Sequence, residues 1–568
     1  MKIELPKEPK ELRSFVFTEL NLVELNSIAV DRLLPHIYES AIKGGRHAGA
    51  LKDASATAYE SKYLPSLIAH EDIHGFDTSD GRDVADAWLR SSVVAFGRSG
   101  VAQRVEKMDF IRARTLAAYR AGFPDRRRSR QADTVTYAQM LSDIRRRQES
   151  GLIAKDANEM QVLRELVQRS VGEGVEITDP PYWAPKYDGH TPVDITTLLT
   201  LHFLEGFEPI AAGPAETDAK SVTRRRDAGY REHPPVPAAA APLGSDVVNY
   251  LLAYGKSTPL LTAKHLTSLL GIRLFQLPLR TALAVRKLMQ EADLPSDMAT
   301  QDGPNPLEQY VDFSNDASAG ASEIARACVQ RDVRLMHAGL KDRLLLKTVR
   351  RALEVSGRIP NDYNKMSGPD RLSYLVEMAN DPGLEPYFGM DLHLIRQANE
   401  DSQDEDTKAF FEELSSSDQP VLQRLIDVLF EATKARARHA ALSWFRDTGG
   451  LNRANGILQG DSRNRGSWRY APGNDLVTAL LGVVFVDNRG RHRNEMLLSD
   501  VLTELTSKFG ILIDRPPTGM DSVAARSAAS VNLDAFKRRL KLLGVFDGLS
   551  DDFNAQTVLN PLRFGGNQ

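Results

Sequence analysis

The sequence carries one cysteine, Cys328, in 568 residues. That count excludes a disulfide framework and any Cys-rich zinc module, and it fits a reducing cytoplasm. Neither charge sign dominates: 72 Lys and Arg face 76 Asp and Glu, for a net charge of −4. A histone-like polycation is thereby excluded, although a local basic face is not. Aromatics are sparse at 7 %, and 39 glycines with 29 prolines indicate no fibrous class. The N-terminal MKIELPKEPKELRSF has no apolar h-region, so no signal peptide is expected. The longest clean apolar run, Leu476 to Val486, is about half of what a spanning helix needs, so no membrane association is expected. The common catalytic signatures are also missing. There is no phosphate-binding G-x-x-x-x-G-K-[ST], no G-x-S-x-G elbow, no dinucleotide fingerprint and no kinase set.

What is present is a chain too long for one ordinary core, with 42 % apolar and 26 % charged residues, so a globular multidomain protein is expected. Helical periodicity dominates, as in Phe15, Leu20, Val23, Leu25, Ile28 and Leu33. The expected fold is mainly α: a multidomain helical protein with a C-terminal winged-helix-like α+β module. Residues 1–208 read as an N-terminal helical region and 209–245 as a Pro/Ala-rich linker or loop. Residues 246–446 read as a central helical region, and 447–568 as a basic aromatic loop followed by the winged-helix-like domain. Within the central region, Ser245 or Asp246 is expected as an N-cap and Gly271 as a C-cap. In the last segment, helix, helix and then a β-ribbon is the winged-helix order. Cys328, among apolar helical neighbours, reads as core.

Several constellations could carry chemistry. His70-Glu71-Asp72-Ile73-His74 has the H-E-x-x-H spacing that places two imidazoles on one helical face for zinc, with Glu71 activating a water. Glu106 or Asp86 would supply a third ligand. Against this, Asp72 charges an inner position, and Gly75 with the following SDGRD cuts the helix short. Capping of a turn by partly exposed histidines is the simpler reading. Basic runs at Arg126–Arg128 with Arg130, and at Arg145–Arg147, could contact phosphates, though such runs are usually solvated faces.

Residues 434–470 are richer. Lys434, Arg436, Arg438, Arg446, Arg453, Arg463, Arg465 and Arg469 interleave with Trp444, Phe445, Trp468 and Tyr470. Glycines in TGGLNRANGILQG would let backbone amides approach phosphate, and arginine beside aromatics can stack on bases. The alternative is a loop that packs its tryptophans on a neighbouring domain. Farther on, Lys537, Arg538, Arg539 and Lys541 share a helix in the recognition position. Asp547, Asp551 and Asp552 in the wing would repel phosphate.

From Trp444 onward, SWFRDTGGLNRANGILQG, SWRYAPGNDLVTALL, FGILIDRPP and NLDAFKRRLKLLGVFDGLSDDFNAQTVLNPL resemble bacterial proteins encoded in antiphage defence islands. PLEQYVDFSNDAS and ARACVQRDV are similar to the same group. The resemblance covers roughly the C-terminal half. It implies an accessory component of a methylation-associated defence system, working beside a methyltransferase, its specificity subunit and an effector ATPase or nuclease. It assigns no catalytic residue. The expected function is therefore a non-enzymatic, nucleic-acid-associated component without a cofactor. DNA would be its partner, through Arg463, Arg465, Trp468, Arg469, Lys537, Arg538 and Arg539. Two alternatives stand beside it: a zinc metallopeptidase using His70, His74 and Glu71, with Glu106 as third ligand, and a pure protein scaffold.

Overall fold

The computed structural model describes residues 2–45, 55–98, 106–110, 116–121, 129–177, 185–207, 229–291, 293–546 and 556–563. Helices dominate these residues. The N-terminal part contains α1 (Leu33–Ile42), α2 (Leu64–Ile68), α3 (Ser79–Ser92), α4 (Ala132–Glu149) and α5 (Ile195–Glu205). Two antiparallel pairs lie among them, β1 (Val94–Arg98) with β2 (Glu106–Phe110), and β3 (Val175–Ile177) with β4 (Pro185–Tyr187). The centre is built from α6 (Pro242–Tyr254), α7 (Pro259–Glu291), α8 (Gly320–Val355) and α9 (Val421–Gly449), with the short β5 (Gln309–Tyr310) between α7 and α8. The last part runs β6 (Leu458–Gln459), β7 (Arg469–Tyr470), α10 (Asn474–Val484), β8 (Glu495–Leu497), α11 (Leu498–Phe509), β9 (Ile511–Leu512), α12 (Val523–Leu542) and β10 (Thr557–Leu559).

One apolar cluster extends from Leu12 to Leu562 and draws on the N-terminal, central and C-terminal helices alike. A second, small core is separate from it and joins Tyr59, Tyr63 and Leu67 to Leu89, Met108, Phe203 and Phe207. The axis of the main core is α7, whose 33 residues are long and apolar enough to cross a membrane. Of its most apolar window, 94 % is buried within the protein. The sequence hides this length because Arg273, Gln276 and Arg280 interrupt the apolar run, yet all three are buried. Arg273 is neutralised by Asp246 at 2.6 Å and donates to the Lys508 carbonyl at 2.7 Å. Gln276 donates to Gln309 and to the Phe509 carbonyl. Buried polar groups therefore tie α7 to α6, β5 and the end of α11.

Three local expectations are corrected. The HPPVPAAAAPLG segment, expected to belong to a linker, is helical and buried from Pro237 onward. Its small residues allow close packing: a Cβ on Gly244 would lie 2.2 Å from the Gln139 backbone on α4. The preceding 208–228 lie outside the described residues. Asp246 is no N-cap, because α6 begins at Pro242 and the carboxylate is held by Arg273. Gly271 is no C-cap either; α7 continues past it, and a Cβ there would lie 3.4 Å from the Thr448 carbonyl of α9.

Two strand pairs bind the C-terminal part to the centre and to itself. β9 runs parallel to β5, with Gln309 opposite Ile511. β10 is antiparallel to β8, with Thr557 opposite Leu497, and the Leu559 amide donates to the Val545 carbonyl.

Candidate nucleic-acid interface

The approach to the loop between β6 and β7 begins where α9 stops. Gly450 closes that helix in the left-handed conformation (φ 62°), its amide donating to the Arg446 carbonyl. Gly456 then passes so close that a Cβ would sit 2.0 Å from the Gly450 oxygen. The chain enters β6, which pairs with β7 through Leu458 and Tyr470. Small polar side chains hold the residues between. The Asp461 carboxylate accepts the Arg463 amide at 2.8 Å, Asn464 accepts the Gly466 amide at 3.0 Å, and the Ser467 hydroxyl accepts the Asp461 amide at 2.9 Å. Asn452 clamps Gly460 from below, donating to its carbonyl and accepting its amide.

This bracing leaves the Arg463 and Arg465 side chains outward. Both are exposed, and neither guanidinium has a hydrogen-bond or ion-pair partner among the described residues. Trp468 has a different role. It is 4 % exposed and its indole nitrogen donates to the Asp461 carbonyl at 2.9 Å, so the ring is part of the loop's own packing. Arg469 is held by the buried Asp312 carboxylate at 3.2 Å. Trp444 is fully buried, donating to the Leu274 carbonyl, and Phe445 packs on Phe275. The aromatic residues interleaved with the arginines therefore belong to the interior.

Other cations surround the loop. Arg438 on α9 is exposed and lies over the Phe430 ring. Arg438 and Arg465 both act on His337 of α8: burial first, then these two guanidiniums, push its imidazole below the usual range. Its Nε2 is buried without a hydrogen-bond partner among the described residues. Extra positive charge is thus already disfavoured at this spot.

On α12, Arg538 is exposed and has no side-chain partner among the described residues. Lys537 lies 3.8 Å from Asp534, Lys541 lies over Phe546, and Arg539 donates to Asn474 and, at 3.3 Å, to Asn315. The segment from Asp312 to Asp316 therefore connects the two arginine sets, holding Arg469 through Asp312 and Arg539 through Asn315. Ser318 hydrogen bonds, aided by the Arg469 charge, hold the Asp316 carboxyl below its usual range. Sequence reasoning assigned this segment no role in the site. Its cluster of short polar residues after β5 was the available signal.

The remaining basic runs are engaged elsewhere. Arg145 pairs with Glu159 at 2.6 Å, Arg146 with Asp143 at 2.6 Å and Arg147 with Asp143 at 2.7 Å. Arg130 pairs with Glu24 at 2.7 Å. Arg126–Arg128 and the wing residues Asp547, Asp551 and Asp552 lie outside the described residues.

The HEDIH segment is not helical. α2 stops at Ile68, and the Asp72 amide turns back to His70 Nδ1 at 3.2 Å, with Gly75 at φ 95° beyond. His70 and His74 therefore share no helical face. Glu71 and His74 are exposed, Asp86 is taken by Tyr59 and Arg90, and the Glu106 side chain lies outside the described residues. His70 instead meets α5. Its Nε2 lies 3.0 Å from Glu205, and its ring lies 3.9 Å from that of His202.

A family model for Methylation-associated defense system protein MAD7 matches residues 10–562. No curated protein and no solved structure matches the chain.

Proposed function

The chain belongs to the methylation-associated defense system protein MAD7 family, and from that membership we propose a non-enzymatic, nucleic-acid-associated component of the defence system. In this reading it acts in the cytoplasm, where its single thiol stays reduced. It holds DNA phosphates through the 461–469 loop and α12, and it docks other components of the system, such as a methyltransferase or an effector ATPase. The observation that carries the reading is the pair Arg463 and Arg465. Most arginines around them are paired or stacked, whereas these two project without a partner among the described residues from a loop fixed by its own hydrogen bonds. Such a preorganised pair of cations suits phosphate contact, because no internal ion pair must break and little loop entropy is lost.

The C-terminal elements support the same reading. Helix α10, strand β8, helix α11, the short β9, helix α12 and a return strand β10 paired with β8 are the elements from which this reading builds a winged-helix-like module. α12 then stands in the recognition position, with Arg538 and Lys541 exposed. Trp468 and Arg469 act as braces of the loop in this reading. The test is the Arg463→Ser, Arg465→Ser double variant. Its affinity for duplexes of unrelated sequence should fall uniformly, and its log K against log[salt] slope should flatten by about 2. Unchanged affinity and slope would remove the loop from the interface.

A second reading rests on a separate observation. Val531 and Leu542 of α12 are 59 % and 83 % exposed, and with Arg538 they lie at seven- and eleven-residue spacing along one face. An apolar line with a central arginine suits a protein partner. Partners that stay bound through nuclease treatment and high salt, and are lost in Val531→Asp, would favour scaffolding.

A further inference from the structure

The second core is small, and its elements meet at a cluster the sequence motif did not describe. His70 follows α2, and His202 and Glu205 occupy the last turn of α5. One donor atom from each of His70, Asp72 and His202 lies within 4.8 Å of the others. The Glu205 carboxylate spans the two imidazoles, with one oxygen 3.0 Å from His70 Nε2 and the other 3.5 Å from His202 Nδ1. His202 Nδ1 is buried and, beyond that 3.5 Å approach, has no hydrogen-bond partner among the described residues.

We infer that His70, His202, Glu205 and Asp72 form a site for a divalent transition metal of the zinc type. Two imidazoles with carboxylates form a donor set that suits borderline cations and disfavours magnesium or calcium, which take oxygen ligands. Zinc–ligand bonds of about 2.0–2.2 Å in a tetrahedron put neighbouring donors roughly 3.3 Å apart. The two Glu205–imidazole separations, 3.0 and 3.5 Å, bracket that edge, and Asp72, 4.0 Å from His70 Nδ1, has to swing toward the Nε2 side to join them. The two histidine side chains are 16 % and 18 % exposed and the Asp72 and Glu205 carboxylates 68 % and 58 %, so a metal would be held by sheltered imidazoles and reached from the carboxylate side.

The consequence is structural. Phe203 and Phe207, which flank the cluster on the α5 side, belong to the second core, as do Leu64 and Leu67 of α2. A core of this size buries too little apolar surface to be robust by itself, and small cores are commonly reinforced by a metal. A metal on His70 and His202 would tie the turn after α2 to the end of α5 and close that core. His74 stays outside the donor set, which separates this site from the one the H-E-x-x-H spacing suggests. The site does not depend on DNA contact.

The test uses the full-length protein, stripped with a chelator and titrated with Zn2+ against a fluorescent competitor, together with melting curves. One zinc per chain should bind and raise the melting temperature. His70→Gln and His202→Gln should each weaken binding by about a hundredfold or more, Glu205→Gln by about tenfold, and His74→Gln not at all. Mg2+ should produce no shift. Should His202→Gln fail to fold, His70→Gln in the turn carries the same comparison. Absence of stoichiometric zinc would overturn the assignment. So would equal losses in His74→Gln and His70→Gln, because the sequence motif would then be the ligand set.

Discussion

Replacing Asn532 by alanine should loosen the C-terminal helices from the centre of the protein. The side chain is fully buried on α12 and makes three hydrogen bonds. Its oxygen accepts the Phe313 amide at 2.8 Å, and its nitrogen donates to the carbonyls of Val311 at 2.8 Å and Ile513 at 3.1 Å. Alanine leaves one amide and two carbonyls without these partners. At about 1 kcal/mol net per bond, the loss is about 3 kcal/mol, and unpaired buried groups push it upward. Hydrogen exchange reads this locally, since ~3 kcal/mol corresponds to roughly a hundredfold loss of amide protection. Peptides covering 305–316 and 523–542 should lose protection together, with residues 33–42 unaffected. Asn532→Asp should cost more, because it keeps the Phe313 bond but turns a carboxylate toward two carbonyls. A loss of less than about tenfold for the alanine variant would refute the reasoning.

Burial holds the His265 imidazole down at about 4 beside the Tyr250 hydroxyl. Between that value and about 6.5 the unfolded chain binds a proton that the folded one refuses. Stability should therefore fall by up to about 3 kcal/mol as pH drops from about 6.5 to 4, and His265→Gln should flatten that part of the urea-midpoint profile. Glu19 accepts the Tyr363 hydroxyl at 2.5 Å and faces Arg350 and Arg371 in a buried cluster. Glu19→Ala should cost about 3–5 kcal/mol in denaturant titration, because two buried guanidiniums lose a carboxylate. Burial pushes the Cys328 thiol up to about 11, so a thiol reagent at neutral pH should label none of it in the native protein and all of it after denaturation.

Where local pattern decided the structure, the sequence was readable. The amphipathic LSDVLTELTSKFG became α11 with Gly510 left-handed at its end, and DNRGRHRN became a tight excursion in which the Asp487 amide meets the Arg491 carbonyl. The buried LVTALLGVVFV became α10, although its composition suited a strand equally well. What failed was decided over distance. Arg469 reads as a free cation until Asp312, far off in the chain, is brought beside it. Trp468 reads as a stacking platform until its indole finds the Asp461 carbonyl. The alanine-rich segment before α6 has no apolar period because its small side chains pack closely against α7. The H-E-x-x-H spacing presumed a helix that ends before its first histidine, while His202 and Glu205 lay too far along the chain for any motif to join them. Arg463 and Arg465 stood out from the start, because exposed charge on a glycine-rich loop is a local property.

The measurement that tests the account most directly is binding of the full-length protein to a labelled random-sequence duplex across a salt series. Phosphate contact predicts clear binding at about 50 mM salt that falls steeply by about 200 mM, independent of sequence. No binding at the lowest salt would contradict DNA contact by the isolated protein and favour the alternative proposal, a protein partner on the exposed face of α12.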